Sequence, residues 1–541
     1  MITAPTEDIE IAEESLKSLY NAHDWKISIC NRIQRIASLS LLPMMPILYW
    51  KALKFFRLTR NALSGEVVAK LPIQGEWKGV PKSGALLLGR RGQLFNFNPF
   101  YRIGGGGNYN ICMMAPSGSG KSFFLQELVQ SMIAQDVATY IIDIGGSYRN
   151  ICKLLKGEMV RFNKENKISL NPFATLSHSG AIYAKALELL KGGCKTSEIV
   201  DITGLSAEKI EALKIGQHGI DENQSHYDAI EVLEIAGKGK MHFITKDSMI
   251  YAKSLLAVMA KVTGNARLEG IIERAIREGI ITYGGQLDIT KMTSILASLT
   301  DSCGNLIKEA ASMADSLYPY TEEGLHGRFF AKGHEANFQE LLTVFELEDI
   351  KSDENLVCVI LQIILMQITM QFLCGSRSKR FMLVVDEAWY LLKHGAYFLE
   401  SFARTVRKYG GSLVVCTQDL AGFSGDASRE AVLESSTWEL ILAQKKNGLE
   451  KFAESNAYKP FLGLISGVRK CSENKFSEIL ISTEGAKIVG RFAVDPYSTA
   501  VFSTEQQDYN FLQQQEKQGV AVEDAILELA KKYGQQEEEI L

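Results

Sequence analysis

Hydrophobic positions fall along this chain in two kinds of run: short unbroken blocks, and longer stretches with apolar residues at i, i+3 and i+4. Short blocks bounded by turn residues read as buried strands, and the longer spacing reads as helices. The block at 108–114 (NYNICMM) runs into a loop of small residues, and an amphipathic helix leaves that loop at about residue 121. A second block, 137–148 (VATYIIDIGGSY), reads as a buried strand ending in a turn with Asp143 and Ser147. Strands resume at 381–388 (FMLVVDEA), 412–419 (SLVVCTQD), 438–444 (WELILAQ) and 478–483 (EILIST). After Asn171-Pro172-Phe173 the spacing is helical to about residue 316, as in MIYAKSLLAVMAKV and LEGIIERAIREGI. Strands alternating with helices argue for an α/β fold with a mostly parallel central sheet covered on both faces.

The same pattern predicts the organisation. Residues 1–85 form a short N-terminal piece, helical to about residue 65, with a basic amphipathic stretch from Trp50 to Arg57. Short strands and turns fill 66–107. Residues 86–175 and 321–504 are the two parts of one nucleotide-binding core. The block 176–320 is an all-helical insertion, expected to be a lid or subunit-contact domain outside the central sheet. Residues 505–541 are a Gln/Glu-rich helical tail. The run Gly104–Gly107 precedes a strand instead of joining a strand to a helix, so it is a connector and not a second phosphate loop.

Composition narrows the class only a little. A length of 541 residues allows two to four domains, and 46% hydrophobic with 23% charged residues is ordinary for a globular chain. The net charge of -4 gives no overall attraction to nucleic acid. The nine Cys and eight His show neither disulfide nor metal spacing, which implies reduced thiols and no structural metal. The N-terminus is acidic and polar, unlike a secretory signal. Residues 36–50 are too short and proline-broken to span a bilayer. Residues 356–373 approach spanning length, but Gln362, Gln367 and Gln371 interrupt them, and they read as a buried core helix.

The chemistry is concentrated in the loop after the first strand. Ala115-Pro116-Ser117-Gly118-Ser119-Gly120-Lys121-Ser122, followed by Phe123, fits the phosphate-loop pattern G-x-x-x-x-G-K-[ST] except at its first position. Gly118 and Gly120 let the backbone wrap a phosphate chain, and the helix adds its positive end. Lys121 reaches the β- and γ-phosphates of ATP, and Ser122 supplies a ligand for Mg²⁺. A hydrophobic strand ending in Asp386-Glu387 supplies the partner. Asp386 is the expected second Mg²⁺ ligand and Glu387 the group that polarises the attacking water. Gln418, at the end of the next strand, is aimed at the γ-phosphate or the lytic water. Arg404 and Arg407, just before that strand, are candidates to reach a neighbouring subunit's γ-phosphate.

At this point the chain resembles the TraC-type ATPases of conjugative type IV secretion systems, in the HerA–FtsK branch of RecA-like P-loop motors. The residues that carry the likeness are GNYNICMMAPSGSGKSFF, the DIGGSY turn, ISLNPF at 168–173, VVDEAW, RKYGG with CTQD, and GRFAVDPYS at 490–498. They cover roughly residues 85–503. The resemblance implies an ATP-hydrolysing, ring-forming motor of the RecA-like P-loop NTPase class, with six subunits in the ring. It implies work on pilus assembly or on transfer of a DNA or protein substrate. It also implies inner-membrane and channel components as partners, and a cytoplasmic site on the inner membrane. It marks Lys121, Ser122, Asp386, Glu387 and Gln418 as nucleotide-site residues, Arg407 as the trans arginine, and Arg491 as a further charge near the nucleotide. Two departures stand out. Ala115 replaces a glycine, and only a short piece precedes the motor where the family carries a large N-terminal domain. The stretch 37–44 reads as the end of such a domain, so the chain is expected to be a fragment or to have that domain encoded separately. Two other readings remain: a coupling-protein or HerA/FtsK-like DNA translocase, and a scaffold that binds nucleotide without hydrolysing it.

Overall fold

The computed structural model describes residue 17, residues 48–56 and residues 77–538. Excepted are 102–106, 164–167, 174–185, 187–188, 191–192, 204–209, 212–229, 236–239, 331–333, 336–339, 375–379, 426, 471–475 and 485. Most of the N-terminal reading, and most of the glycine run, lie outside the described residues. The chain divides into two units, Met1–Gly75 and Glu76–Leu541. In the first, the basic stretch forms a short helix, Trp50–Phe55.

The second unit is built on strands β1 (Ala85–Gly89), β2 (Leu94–Phe97), β3 (Ile111–Met114), β4 (Ala138–Asp143), β5 (Glu158–Arg161), β6 (Ile168–Ser169), β7 (Ile230–Ile235), β8 (Lys240–Thr245), β9 (His334–Glu335), β10 (Leu342–Glu346), β11 (Phe381–Val385), β12 (Gly411–Thr417), β13 (Trp438–Leu442), β14 (Ser477–Thr483) and β15 (Ala486–Phe492). Eleven of them form one sheet in the order β2-β1-β15-β14-β13-β3-β12-β11-β4-β10-β5. From β5 to β13 every neighbouring pair is parallel. From β13 to β2 every pair is antiparallel. The sheet is therefore mostly parallel with an antiparallel flank.

The unbroken apolar runs are explained by burial on both faces. Along β3, Ile111 and Met113 face one core while Cys112 and Met114 face the other. In β11, Met382 and Val384 join the first core, and Leu383 and Val385 the second. The helix Glu354–Cys374 is apolar all round because it lies inside that second core, with Val357, Ile360, Ile364 and Ile368 fully buried. Among the described residues no helix is long and apolar enough to cross a membrane.

The block between the two parts of the sheet contributes no strand to it among the described residues. It is not all-helical, however: β7 and β8 form a separate antiparallel hairpin. The runs IEVLEI and KMHFIT flank a short segment with two glycines, the sequence spacing of a hairpin. The strong helical spacing on its C-terminal side masked it. The helices Lys246–Met259, Ala266–Tyr283, Ile289–Ser298 and Lys308–Leu317 bury Leu255, Ile276, Met292 and Leu317 in the same core as the helix Glu354–Cys374. They thus pack one face on that core and leave the other exposed. The tail forms two helices, Gln506–Lys517 and Val522–Glu538. Strands β5, β10 and β15 had not been anticipated from sequence.

Candidate functional site

All the parallel strands point their C-terminal ends to one edge of the sheet, and the chemistry collects there. Strand β3 ends at Met114, and Ala115 extends the ladder by donating its N–H to Thr417 O (2.8 Å). Ala115 is fully buried and lacks a positive φ, so its backbone does not require the glycine of the usual pattern. The conformational demand falls on Gly118 (φ 74°) and Gly120 (φ 97°). The helix Lys121–Ile133 starts directly after Gly120, and no side chain caps its first N–H groups. Ser119 is buried with its Oγ unpartnered among the described residues. Free N–H groups, a positive helix end and an orphaned hydroxyl make a cradle suited to phosphate oxygens. The Phe123 ring packs edge-to-face on Phe502 (5.9 Å), while its N–H belongs to the uncapped first turn of the helix.

The neighbouring strand ends carry acids. Lys121 Nζ lies 2.7 Å from Asp386 Oδ1 and 2.6 Å from Glu387 Oε1. Burial alone would lower the lysine's pKa, but the charge of Asp386 and the hydrogen bonds to both acids reverse this and raise it. Asp386 is buried and also accepts from Tyr148 Oη (3.0 Å) and from the Glu387 N–H (2.9 Å). Glu387 is partly exposed and sits at φ 51°, an uncommon conformation for a non-glycine residue. That turn starts the helix Ala388–Thr405 and aims the carboxylate back at the P-loop lysine.

Two more acids continue the row, Asp143 beside Asp386 and Glu346 beside Asp143. Asp143 ends β4 and accepts from the Ser147 N–H (2.7 Å), which fixes the DIGGSY turn. Glu346 ends β10 in register with Asp143 and accepts from the N–H groups of Gly145 and Glu348. Burial first, then the charges of Glu346 and Asp386, hold the Asp143 carboxyl well above the usual carboxylate range. Glu346 and Tyr148 were not singled out from sequence. An apolar run ending in an acid, LTVFE, was the available signal for Glu346.

Gln418 follows β12 directly and is exposed, one residue past Thr417, whose partner in the sheet is Met114 at the mouth of the P-loop. Arg404 and Arg407 lie elsewhere. They precede Gly411, which pairs with Phe381 at the N-terminal end of β11, whereas Asp386 follows its C-terminal end. Both are exposed at the opposite edge of the sheet from Lys121, and Arg404 pairs with Glu400 (2.8 Å). Neither meets the P-loop of its own chain.

Arg491 reaches the P-loop edge but is committed to another carboxylate. Its Nε donates to Glu478 Oε1 at 3.3 Å, and its guanidinium covers the Phe476 ring. Glu478 has no exposed side-chain surface. It takes two hydrogen bonds from Arg90, at 3.0 and 2.6 Å, and one from the Arg469 N–H at 3.1 Å. Burial would raise its pKa, yet these donors and the Arg90 charge outweigh it and hold the carboxyl below its ordinary value. The motif GRFAVDPYS is structural too. Asp495 caps the helix Pro496–Phe502 through the N–H groups of Tyr497 and Ser498, and Gln126 donates to Phe502 O from the P-loop helix.

Comparison with known proteins agrees with this geometry. The profile of the TraG P-loop domain matches residues 96–185 and 309–533. Protein TraC of Escherichia coli (strain K12) is 24% identical over 507 residues, 89% of this chain and 49% of the relative. The chain thus spans about half the length of the curated relative it matches. The structure of VirB4 of Thermoanaerobacter pseudethanolicus superposes with a TM-score of 0.53 at 17% identity, covering 78% of this chain and 99% of that one. The profile takes in both parts of the sheet, with the P-loop in one and the acidic strand end in the other. The fold is therefore that of a RecA-like P-loop NTPase, and the chain belongs to the TraG P-loop domain family.

Proposed function

We propose that this chain is an ATP-hydrolysing motor of a conjugative type IV secretion system, energising pilus assembly or substrate transfer. The observation that carries the reading is the joining of Lys121 to both Asp386 and Glu387 beside an uncapped helix end. In this reading Lys121 leaves the two carboxylates for the β- and γ-phosphates. Glu387 is then free to accept a hydrogen bond from the attacking water and orient it in line. Gln418 holds the same water or a γ-phosphate oxygen from the β12 side. Mg²⁺, held by Ser122 and Asp386, would neutralise charge on the phosphate oxygens. Arg407, at the far edge of its own sheet, acts only on a neighbour's nucleotide. The protein accordingly works as a ring, expected to be hexameric, on the cytoplasmic face of the inner membrane and against the channel components there.

The test is phosphate release by the purified chain with Mg²⁺ and ATP, alone and with single-stranded or duplex DNA. Turnover indifferent to DNA supports the secretion motor. Strong stimulation by DNA moves the reading to a DNA translocase. Tight ATP binding without turnover in an assembled ring makes it a scaffold. Mixing Arg407→Ala with Lys121→Ala should restore part of the activity that each variant lacks, because some interfaces then join an intact P-loop to an intact arginine. No rescue in confirmed mixed rings removes Arg407 from the trans role and leaves Arg404.

A further inference from the structure

Two residues outside the P-loop, Lys470 and Ser477, stand against its glycines. Ser477, the first residue of β14, lies so close to Gly120 that a Cβ there would meet its Oγ at 2.3 Å. A Cβ at Gly118 would stand 3.6 Å from Lys470 Nζ and 3.8 Å from its Cε. An ammonium group from the irregular segment after the helix Leu462–Ser466 therefore stands over the middle of the phosphate loop.

The lysine is held there by its neighbours. The Arg469 N–H donates to the buried Glu478 carboxylate, and the Glu478 N–H donates back to Arg469 O at 3.0 Å. Arg90 ties the same carboxylate to the preceding turn by also donating to Gly467 O. So the backbone carrying Lys470 is anchored at a buried charge, while the Lys470 side chain is exposed with no hydrogen bond or ion pair to its Nζ among the described residues. A cation parked beside a positive helix end is unfavourable by itself and becomes favourable when an anion enters between them.

We infer that Lys470 is a second phosphate-binding cation of the nucleotide site. It acts in cis, contacting the phosphate chain of a nucleoside triphosphate from the β14 side as Lys121 does from the helix side. This inference rests on the ATP reading above and adds a residue to it.

The experiment compares the wild-type chain with Lys470→Ala and Lys470→Arg. It reads the dissociation constants of fluorescent ATP and ADP analogues, then kcat and KM for ATP. Lys470 is exposed, so both variants should fold, and a matching melting temperature checks this. Loss of one charge-assisted hydrogen bond should weaken ATP binding roughly tenfold or more in Lys470→Ala. Lys470→Arg should recover most of it. Wild-type binding with an unaffected Lys470→Ala overturns the assignment alone, as does equal loss in the alanine and arginine variants, which would mark a packing role. A wild-type chain that does not bind ATP overturns the assignment and the proposed function together.

Discussion

Two charged clusters stand at the same edge of one sheet, and they are built on opposite plans. On the parallel side, one ammonium serves two carboxylates: Lys121 between Asp386 and Glu387. On the antiparallel flank, one carboxylate serves two guanidinium groups: Glu478 between Arg90 and Arg491. The first cluster has a surplus of negative charge, and Glu387 keeps part of its side chain open to solvent. The second has its carboxylate sealed, with each oxygen taking two donors. A cluster whose members can find better partners is suited to rearrange when a charged substrate arrives. A saturated buried carboxylate is suited to stay, because removing any donor leaves a charge unpaired in a poorly polarisable interior. The difference separates a working site from its support even though both consist of the same residue types.

The largest effect should come from emptying the centre of the working cluster. Lys121→Ala is expected to lower turnover by roughly 10³-fold or more, since it removes the cation aimed at the transferring phosphate. It also leaves Asp386 buried without its ammonium partner. The comparison is broken if phosphate release by Lys121→Ala matches the wild type. Next, Glu387→Gln should retain ATP affinity and lose roughly 10²-fold in kcat, the usual contribution of a positioned base or water-orienting group. The amide keeps the side chain's shape and can still accept from Lys121. A Glu387→Gln enzyme with normal kcat, measured beside a slowed Asp386→Asn, would reverse the assignment of the two acids. A smaller effect is expected at Tyr148. Tyr148→Phe removes one donor of Asp386 while Lys121 and the Glu387 N–H remain, so stability should fall by about 1 kcal/mol in a denaturant titration. A stability loss in Tyr148→Phe greater than that in Lys121→Ala, read by the same titration, would mean that the tyrosine does more than the lysine to hold the acid.

The two clusters were unequally legible in the sequence. The working one is local in sequence: a small-residue loop ending in Gly120-Lys121-Ser122 and an apolar strand ending in Asp386-Glu387 announce themselves by spacing. Their meeting across the sheet followed from reading both runs as parallel strands. The supporting cluster has no such signature. Arg90 and Glu478 are 388 positions apart, and nothing near either one indicates the other. Arg491 looked like a nucleotide-site charge because it lies in GRFAVDPYS, and only the register of β14 with β15, which sets Glu478 opposite Arg491, shows where it goes. Strand β10 is hard to see because LLTVF is short and stands just before the long apolar run of the helix Glu354–Cys374, and Glu346 is hidden with it. The hairpin β7–β8 reads as helix because the strong helical spacing of 246–283 follows it directly. Arg404 and Arg407 show the converse limit. Their nearness to β12 in sequence is real, but they enter the strand at its far end, and only strand direction reveals that.

The last prediction tests the supporting cluster alone. Glu478→Gln puts an amide N–H₂ where one guanidinium donates and removes the charge that pairs with both arginines. Arg90 and Arg491 retain some exposure and can be partly hydrated, so the expected loss of folding stability at pH 7 is about 1–3 kcal/mol, not the larger cost of a sealed cation. The pH dependence fixes the mechanism. The Glu478 carboxyl is held below its ordinary value of 4.5 in the folded chain. Its contribution to stability is therefore complete above that value and fades as the pH drops through the lower folded-state pKa. The stability gap between wild type and Glu478→Gln should be full at pH 7 and narrow below about pH 4.5. At saturating ATP, kcat of the variant should stay within about twofold of wild type, because Glu478 bears on the phosphate cradle only through the backbone that carries Lys470, so a functional cost falls on ATP affinity and not on turnover. A gap that widens in acid would mean the carboxylate is a burden in the folded state, and a kcat loss like that of Glu387→Gln would erase the division between the two clusters.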